Sequence, residues 1–162
     1  MQSAMQMEMD QQNLESLRQI IHGLIKLSYD QEGLIKEFGP IQQTDPRYVT
    51  ISQNQLKLKD DAKVLEDSLL ELSKKDAFMG SVVTKEVGEL NDHIEKAVGN
   101  LRERRKGNAS TAMQLSMTSI NNLALMLNDH FEMMMNMMAN AMPGKERRSR
   151  ANLTHLAKCK KC

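Results

Sequence analysis

The feature that most constrains the fold is an apolar ladder with steps of three and four residues, present in four segments of the 162-residue chain. Its fourth copy consists of Met113, Met117, Ile120, Ala124, Leu127, Phe131, Met134 and Met138. Such a ladder is typical of a long helix that buries one stripe of side chains against neighbouring helices. Four copies therefore predict an all-α chain.

The composition supports this prediction. The chain has no Trp, three Phe and two Tyr, and only three Pro and eight Gly. A β-sandwich or barrel needs more β-branched and aromatic residues and more frequent turn residues, whereas Leu, Lys, Glu, Gln and Met favour helices. Aliphatic side chains and methionine must therefore fill the core.

Turn and breaker residues divide the chain into predicted helices at about residues 3–38, 50–78, 81–105 and 110–142. The breakers are Gly39-Pro40, Gly80, Gly107-Asn108 and Pro143-Gly144, and Asp45-Pro46 marks a turn in the first loop. Thr50 with Gln53, and Thr111 with Gln114, have the spacing of capping boxes that begin helices two and four. We expect residues 1–144 to form an elongated bundle or array of about four long antiparallel helices with coiled-coil-like packing.

The last segment of the chain differs in charge from the rest. Residues 145–162 contain seven Lys or Arg and one Glu, so their formal charge is +6, which leaves −5 for the other 144 residues. We expect a basic, disordered tail; binding of nucleic acid or anionic lipid by the tail is a less favoured alternative. No apolar run reaches the roughly 18 residues of a membrane span, and residues 1–10 do not resemble a signal peptide. The sequence thus predicts a soluble chain with no span.

Motifs for catalysis are missing from the sequence. It contains no Gly-rich phosphate loop, nucleophile elbow or metalloprotease motif. It also lacks the repeated Glu-x-x-His pattern of di-iron bundles. We therefore predict a protein that is not an enzyme, with no small-molecule substrate and no cofactor.

Metal handling is the alternative function. The methionines of residues 131–138 are thioethers of the kind that bind Cu(I). His155, Cys159 and Cys162 are candidate zinc ligands, although the sequence supplies no fourth ligand beside them. Because the Cys pair lies at the extreme end of the chain, we favour an accidental pair over a metal site.

The fourth segment is the predicted site of partner binding. Between residues 110 and 142 its only charged residues are Asp129 and Glu132, although a bundle helix usually carries charges on its solvated face. Met side chains suit adaptable protein interfaces, and Asn side chains can fix the register of a helical seam. The predicted partner-binding residues are Met117, Ile120, Asn121, Asn122, Leu127, Phe131, Met134 and Met138. The partner is another protein or, in the simplest case, a second copy of the chain.

Several stretches resemble one family. They are Asp45-Pro-Arg-Tyr48, Gln53-Asn-Gln-Leu-Lys-Leu-Lys-Asp-Asp61, Asp67-Ser-Leu-Leu-Glu-Leu-Ser-Lys74, Glu103-Arg-Arg105, Met117-Thr-Ser-Ile-Asn-Asn-Leu-Ala-Leu125 and Leu127-Asn-Asp129. Over residues 8–142 the chain resembles the helical C-terminal portion of large, membrane-anchored bacterial proteins of unknown function from the Bacteroides group. The resemblance implies a portion of an envelope protein whose membrane helices lie upstream. It supplies no activity and no catalytic residues, and the basic tail departs from the family pattern.

Overall fold

The structure, a computed structural model, describes residues 2–76 and 79–140. Within these ranges it contains four helices, α1 (Gln2–Phe38), α2 (Arg47–Ser73), α3 (Gly80–Arg102) and α4 (Lys106–Asn140), and no strand. The all-α prediction is confirmed. The chain divides into two compact units, Met1–Asn128 and Asp129–Cys162. None of the helices, over the residues described, is long and apolar enough to cross a bilayer.

The first three helices of the first unit pack as antiparallel neighbours. Helix α1 packs on α2, and α2 packs on α3. Gln31 of α1 contacts Gln55 of α2, and the earlier residue Gly23 lies beside the later residue Leu65. Because residue numbers rise along one helix while they fall along the other, α1 and α2 run in opposite directions.

Helix α4 lies against α1 in the same unit. The Ser28 hydroxyl of α1 donates a 2.5 Å hydrogen bond to Oδ1 of Asn121. Near the start of α4, the ammonium group of Lys106 donates a 2.9 Å hydrogen bond to the carbonyl oxygen of Gly39, directly after α1. These two contacts show that α4 also runs antiparallel to α1, so α1 has α2 and α4 as neighbours.

The predicted ladders of α3 and α4 supply core positions, with a shift in α4. All six ladder positions of α3 are buried: Val83, Val87, Leu90, Ile94, Ala97 and Leu101. In α4 the buried stripe is Ala109, Met113, Ser116, Ile120, Leu123 and Leu127. Met117 and Ala124 of the predicted ladder are therefore half-buried at the edge of this stripe. Ser116 takes a core position because its hydroxyl donates a 2.8 Å hydrogen bond to the Ala112 carbonyl of the preceding turn, which satisfies the buried polar group.

Helix α2 begins earlier than its predicted capping box. It starts at Arg47 rather than at Thr50, and Pro46 before it already has a helical φ of −56°. Oδ1 of Asp45 accepts a 2.9 Å hydrogen bond from the backbone N–H of Arg47. Asp followed by Pro is thus a helix start here, because Asp supplies the capping oxygen and Pro supplies a preset φ. The prediction that a capping box at Thr50 begins this helix was wrong.

Helix α4 also begins earlier than predicted. It starts at Lys106, and Gly107-Asn108 lies within its first turn instead of ending α3. Thr111 does not cap the helix, since its hydroxyl donates to the carbonyl oxygen of Gly107 at 3.1 Å. The chain turns instead at Arg104, whose φ of 56° lies in the left-handed region. The break predicted at Gly107 is therefore made three residues earlier by a non-glycine residue.

Candidate functional site: the exposed face of helix α4

The structure divides the predicted partner-binding residues of the first unit between core and surface. Ile120 and Leu127 are 0% and 1% exposed, so they belong to the core and are not available to a partner in this fold. Met117 is half-buried, and Asn121 is held by its hydrogen bond from Ser28. Asn122 is exposed. Asn121 thus makes a hydrogen bond across the contact between α1 and α4, and the register role of Asn121 and Asn122 stays a prediction.

The second unit contains the other predicted residues. Phe131, Met134 and Met138 are half-buried, whereas Met135 and Met137 are 47% and 63% exposed. The methionines of this part of α4 are thus partly accessible on more than one side of the helix. This is the distribution expected of consecutive methionines on a helix.

The exposed face of α4 in the first unit has a stripe of its own. We call it the outer stripe; its members are Asn108, Thr111, Leu115, Thr118, Asn122 and Leu125. The spacing alternates between three and four residues, so the six positions follow the a and d positions of a heptad pattern and lie nearly opposite the buried stripe. Leu115 is 43% exposed and Leu125 is 64% exposed. No charged residue occurs from 107 to 128.

The two threonines of the outer stripe are less polar than their side chains suggest. The Thr118 hydroxyl donates to the carbonyl oxygen of Gln114 at 3.1 Å, and the Thr111 hydroxyl donates to Gly107 in the same way. A hydroxyl that is bonded to its own helix leaves the threonine methyl group at the surface. The outer stripe therefore begins at Asn108 and then presents methyl and isobutyl groups from Thr111 to Leu125, interrupted by one asparagine, Asn122.

The most comparable exposed apolar residues of α2 are next to charges. On α2, Leu56 is 43% exposed and precedes Lys57, while Val64 is 66% exposed and follows Lys63. Single exposed apolar side chains of this kind are common on soluble proteins. The outer stripe differs because its own members are all uncharged: Leu115 has no charged residue within four positions, and Leu125 has one, Asp129, four residues later.

Sequence reasoning identified the uncharged character of this segment but missed five members of the outer stripe. Those residues are Asn108, Thr111, Leu115, Thr118 and Leu125. The signal that identifies them is a second series with steps of three and four residues, on the side of the helix away from the core ladder. The prediction had placed the interface mainly on the apolar ladder, of which the protein buries Ile120 and Leu127 in its core.

The basic residues between α3 and α4 have a structural role at one end of the bundle. Gln43 and Arg104 are joined by two hydrogen bonds: the Gln43 amide donates to the Arg104 carbonyl at 2.6 Å, and the guanidinium donates to the Gln43 carbonyl. The guanidinium also lies 5.2 Å from the ring centre of Tyr48. Lys106 lies 5.5 Å from the ring centre of Phe38. These contacts join the loop after α1 to the turn before α4.

Glu66 is the one carboxylate of α2 that is buried. It is 2% exposed, and neither carboxylate oxygen has a hydrogen bond of normal geometry. Burial raises the pKa of Glu66, while Asn91 of α3 and Lys63 act in the opposite direction. The carboxylate lies between α2 and α3 away from the outer stripe, so we regard it as a feature of the core and not as part of a site.

Candidate metal ligands are not assembled in the part of the chain that the structure describes. No group of three or more His, Cys, Asp or Glu side chains is placed there to hold a metal ion. His155, Cys159 and Cys162 lie outside the described residues. Zinc or Cu(I) binding through the tail or the methionines stays a prediction.

Comparisons of the chain with models of protein families, with curated proteins and with solved structures found no match.

Proposed function

We propose that this chain is a non-enzymatic helical scaffold that binds another protein chain through helix α4. The observation that supports the proposal is the outer stripe, a face of about five turns that is solvent-exposed and uncharged from residue 107 to residue 128. Charged side chains are depleted at the centres of protein interfaces, because each buried charge must lose its hydration. An uncharged helix face with exposed leucines suits that environment.

The bundle supplies rigidity to this face. Ile120 and Leu123 anchor α4 in the core directly beneath the outer stripe, and Asn121 holds it to α1 through the hydrogen bond from Ser28. A preformed helix loses little conformational entropy on binding. The resemblance to envelope proteins adds no activity to this proposal.

Site-specific photo-crosslinking in the cells that produce the protein tests the proposal. A photoreactive amino acid at Leu125 should give a discrete adduct with another polypeptide chain. The matched control is the same amino acid at Val64 of α2, whose exposure of 66% is close to the 64% of Leu125. Adducts that are equally abundant from both positions, or absent from Leu125, would refute the proposal.

A further inference from the structure

The partner follows from the symmetry of the outer stripe, on the premise that this stripe is a binding face. Leu115 and Leu125 are equally distant from position 120, as are Thr118 and Asn122. When two identical helices lie antiparallel about a twofold axis at position 120, each residue of one copy faces its counterpart in the other. Leu115 then faces Leu125 of the second copy, and Thr118 faces Asn122 of the second copy.

This pairing obeys the packing rule for antiparallel helices. Leu115 and Asn122 occupy a positions, while Thr118 and Leu125 occupy d positions of one heptad frame. An antiparallel seam pairs a with d, which is the arrangement that the axis at position 120 gives. Four successive layers result, with leucine pairs outside and threonine–asparagine pairs at the centre.

The central layers also supply a device that fixes register. The Thr118 hydroxyl donates its hydrogen bond to the carbonyl oxygen of Gln114. Its oxygen can therefore only accept a hydrogen bond from a second copy. The exposed Asn122 of a second copy has amide N–H groups that match this acceptor. A polar pair within an apolar seam selects one alignment, because any shift leaves the polar groups without partners.

Charge distinguishes the antiparallel arrangement from the parallel one. Arg102 at the end of α3, Arg104 and Arg105 in the turn, and Lys106 at the start of α4 form a basic cluster, with Glu103 as the single acid among them. A parallel pair brings these two basic turns side by side, whereas an antiparallel pair places them at opposite ends of the seam. The opposed helix dipoles of an antiparallel pair add a further favourable interaction.

We propose that the outer stripe binds the outer stripe of a second copy of this chain, antiparallel and about a twofold axis at position 120. The second copy is favoured over an unrelated partner because it presents an equally uncharged, self-complementary face. Such an isologous contact closes after two chains and gives a dimer.

Disulfide trapping tests both the partner and the register. In a background with Cys159→Ser and Cys162→Ser, chains carrying Thr118→Cys are mixed with chains carrying Asn122→Cys under mild oxidation. The proposal predicts that the mixed disulfide dominates over either homodimer. The matched control is the pair Thr84→Cys and Gly88→Cys, which has the same spacing on the exposed face of α3 and should give several times less mixed disulfide.

Each remaining outcome overturns the proposal. Preferential homodimers of the Thr118→Cys chain and of the Asn122→Cys chain would indicate a parallel seam. Yields no higher than the α3 control would indicate that copies do not meet at this stripe. A photo-crosslink from Leu125 to a different protein, combined with no disulfide, would refute the second copy while leaving α4 as a binding face.

Discussion

Gln31 of α1 and Gln55 of α2 exchange two hydrogen bonds of 2.9 Å, one in each direction, and both side chains are fully buried. Each amide donates to the oxygen of the other, so one donor and one acceptor on each side chain are satisfied inside the bundle. Buried amide pairs of this kind are stable together and costly when separated.

The single variant Gln31→Met should lower the free energy of unfolding by about 1–3 kcal/mol, because the Gln55 amide is left buried without its partner. The double variant Gln31→Met/Gln55→Met should recover most of that loss, since both polar groups are then removed. Urea unfolding of the wild type, of the single variants Gln31→Met and Gln55→Met, and of the double variant measures this coupling. Additive losses in the double variant would show that the two amides do not act as a pair.

Arg104→Ala should lower the free energy of unfolding by about 1–2 kcal/mol, because it removes the contact with the Tyr48 ring and the hydrogen bond to the Gln43 carbonyl. Arg104→Gly should cost less than Arg104→Ala, since glycine accepts the φ of 56° without strain. Thermal unfolding of the two Arg104 variants measures these losses.

Arg105→Ala is the control. The exposed side chain of Arg105 pairs with Glu103 at 3.1 Å, and its removal should lower the free energy of unfolding by no more than about 0.5 kcal/mol. Equal losses from Arg104→Ala and Arg105→Ala would contradict the role given to Arg104.

Glu66 should make stability depend on pH. Burial raises the pKa of this carboxyl in the folded state above its value in the unfolded chain. The folded state therefore holds the proton more tightly, and the stability linked to Glu66 is present at acidic pH and lost as the pH rises through the folded-state pKa. Glu66→Gln, which stays neutral, should gain stability relative to the wild type as the pH rises from acidic to neutral.

Chemical denaturation at a series of pH values measures the Glu66 effect. Glu71→Gln on the exposed face of α2 is the control and should show little such change. A Glu66→Gln protein whose advantage is the same at acidic and neutral pH would show that the carboxylate is not destabilised by burial.

Two glycines of α1 should respond differently to alanine. A Cβ added at Gly33 meets no atom within 4 Å, so Gly33→Ala should raise the free energy of unfolding by about 0.5–1 kcal/mol through helix propensity. A Cβ added at Gly23 lies 2.5 Å from Cδ2 of Leu65. Since Leu65 must move to admit it, Gly23→Ala should give no gain. Urea unfolding of both variants measures the difference, and an equal gain at both sites would contradict the close packing at Gly23.

Most of the fold followed from periodicity. The ladder of α3 became core at every predicted position because each was aliphatic and correctly spaced. The predicted start of α4 was wrong because it is set by tertiary contacts. Arg104 and Lys106 bind the loop after α1 and so hold the turn before α4, and no local sequence pattern indicates these contacts. Gln31 is polar, yet it belongs to the core because its amide exchanges hydrogen bonds with Gln55, and no local pattern indicates a partner 24 residues later in the chain.

The site was harder to predict than the fold. The absence of charged residues from 107 to 128 of α4 was visible in the sequence. However, α4 carries two stripes with the same spacing of three and four residues, and either could have been taken for the partner-binding face. The stripe that contains Ile120 and Leu123 is buried because it is the more apolar of the two, and Leu115 and Leu125 are exposed to solvent.

Sedimentation equilibrium over a range of concentrations tests the central claim, that the outer stripe of α4 joins two copies of the chain. The wild type should approach twice its chain mass of 18.4 kDa as concentration rises. Leu115→Glu/Leu125→Glu should stay at the mass of one chain with unchanged helix content. The control Leu56→Glu/Val64→Glu alters α2 residues of matching exposure, 43% and 66% against 43% and 64%, and should associate like the wild type. A wild type that stays monomeric throughout, or a Leu115→Glu/Leu125→Glu protein that dimerises equally well, would contradict the claim.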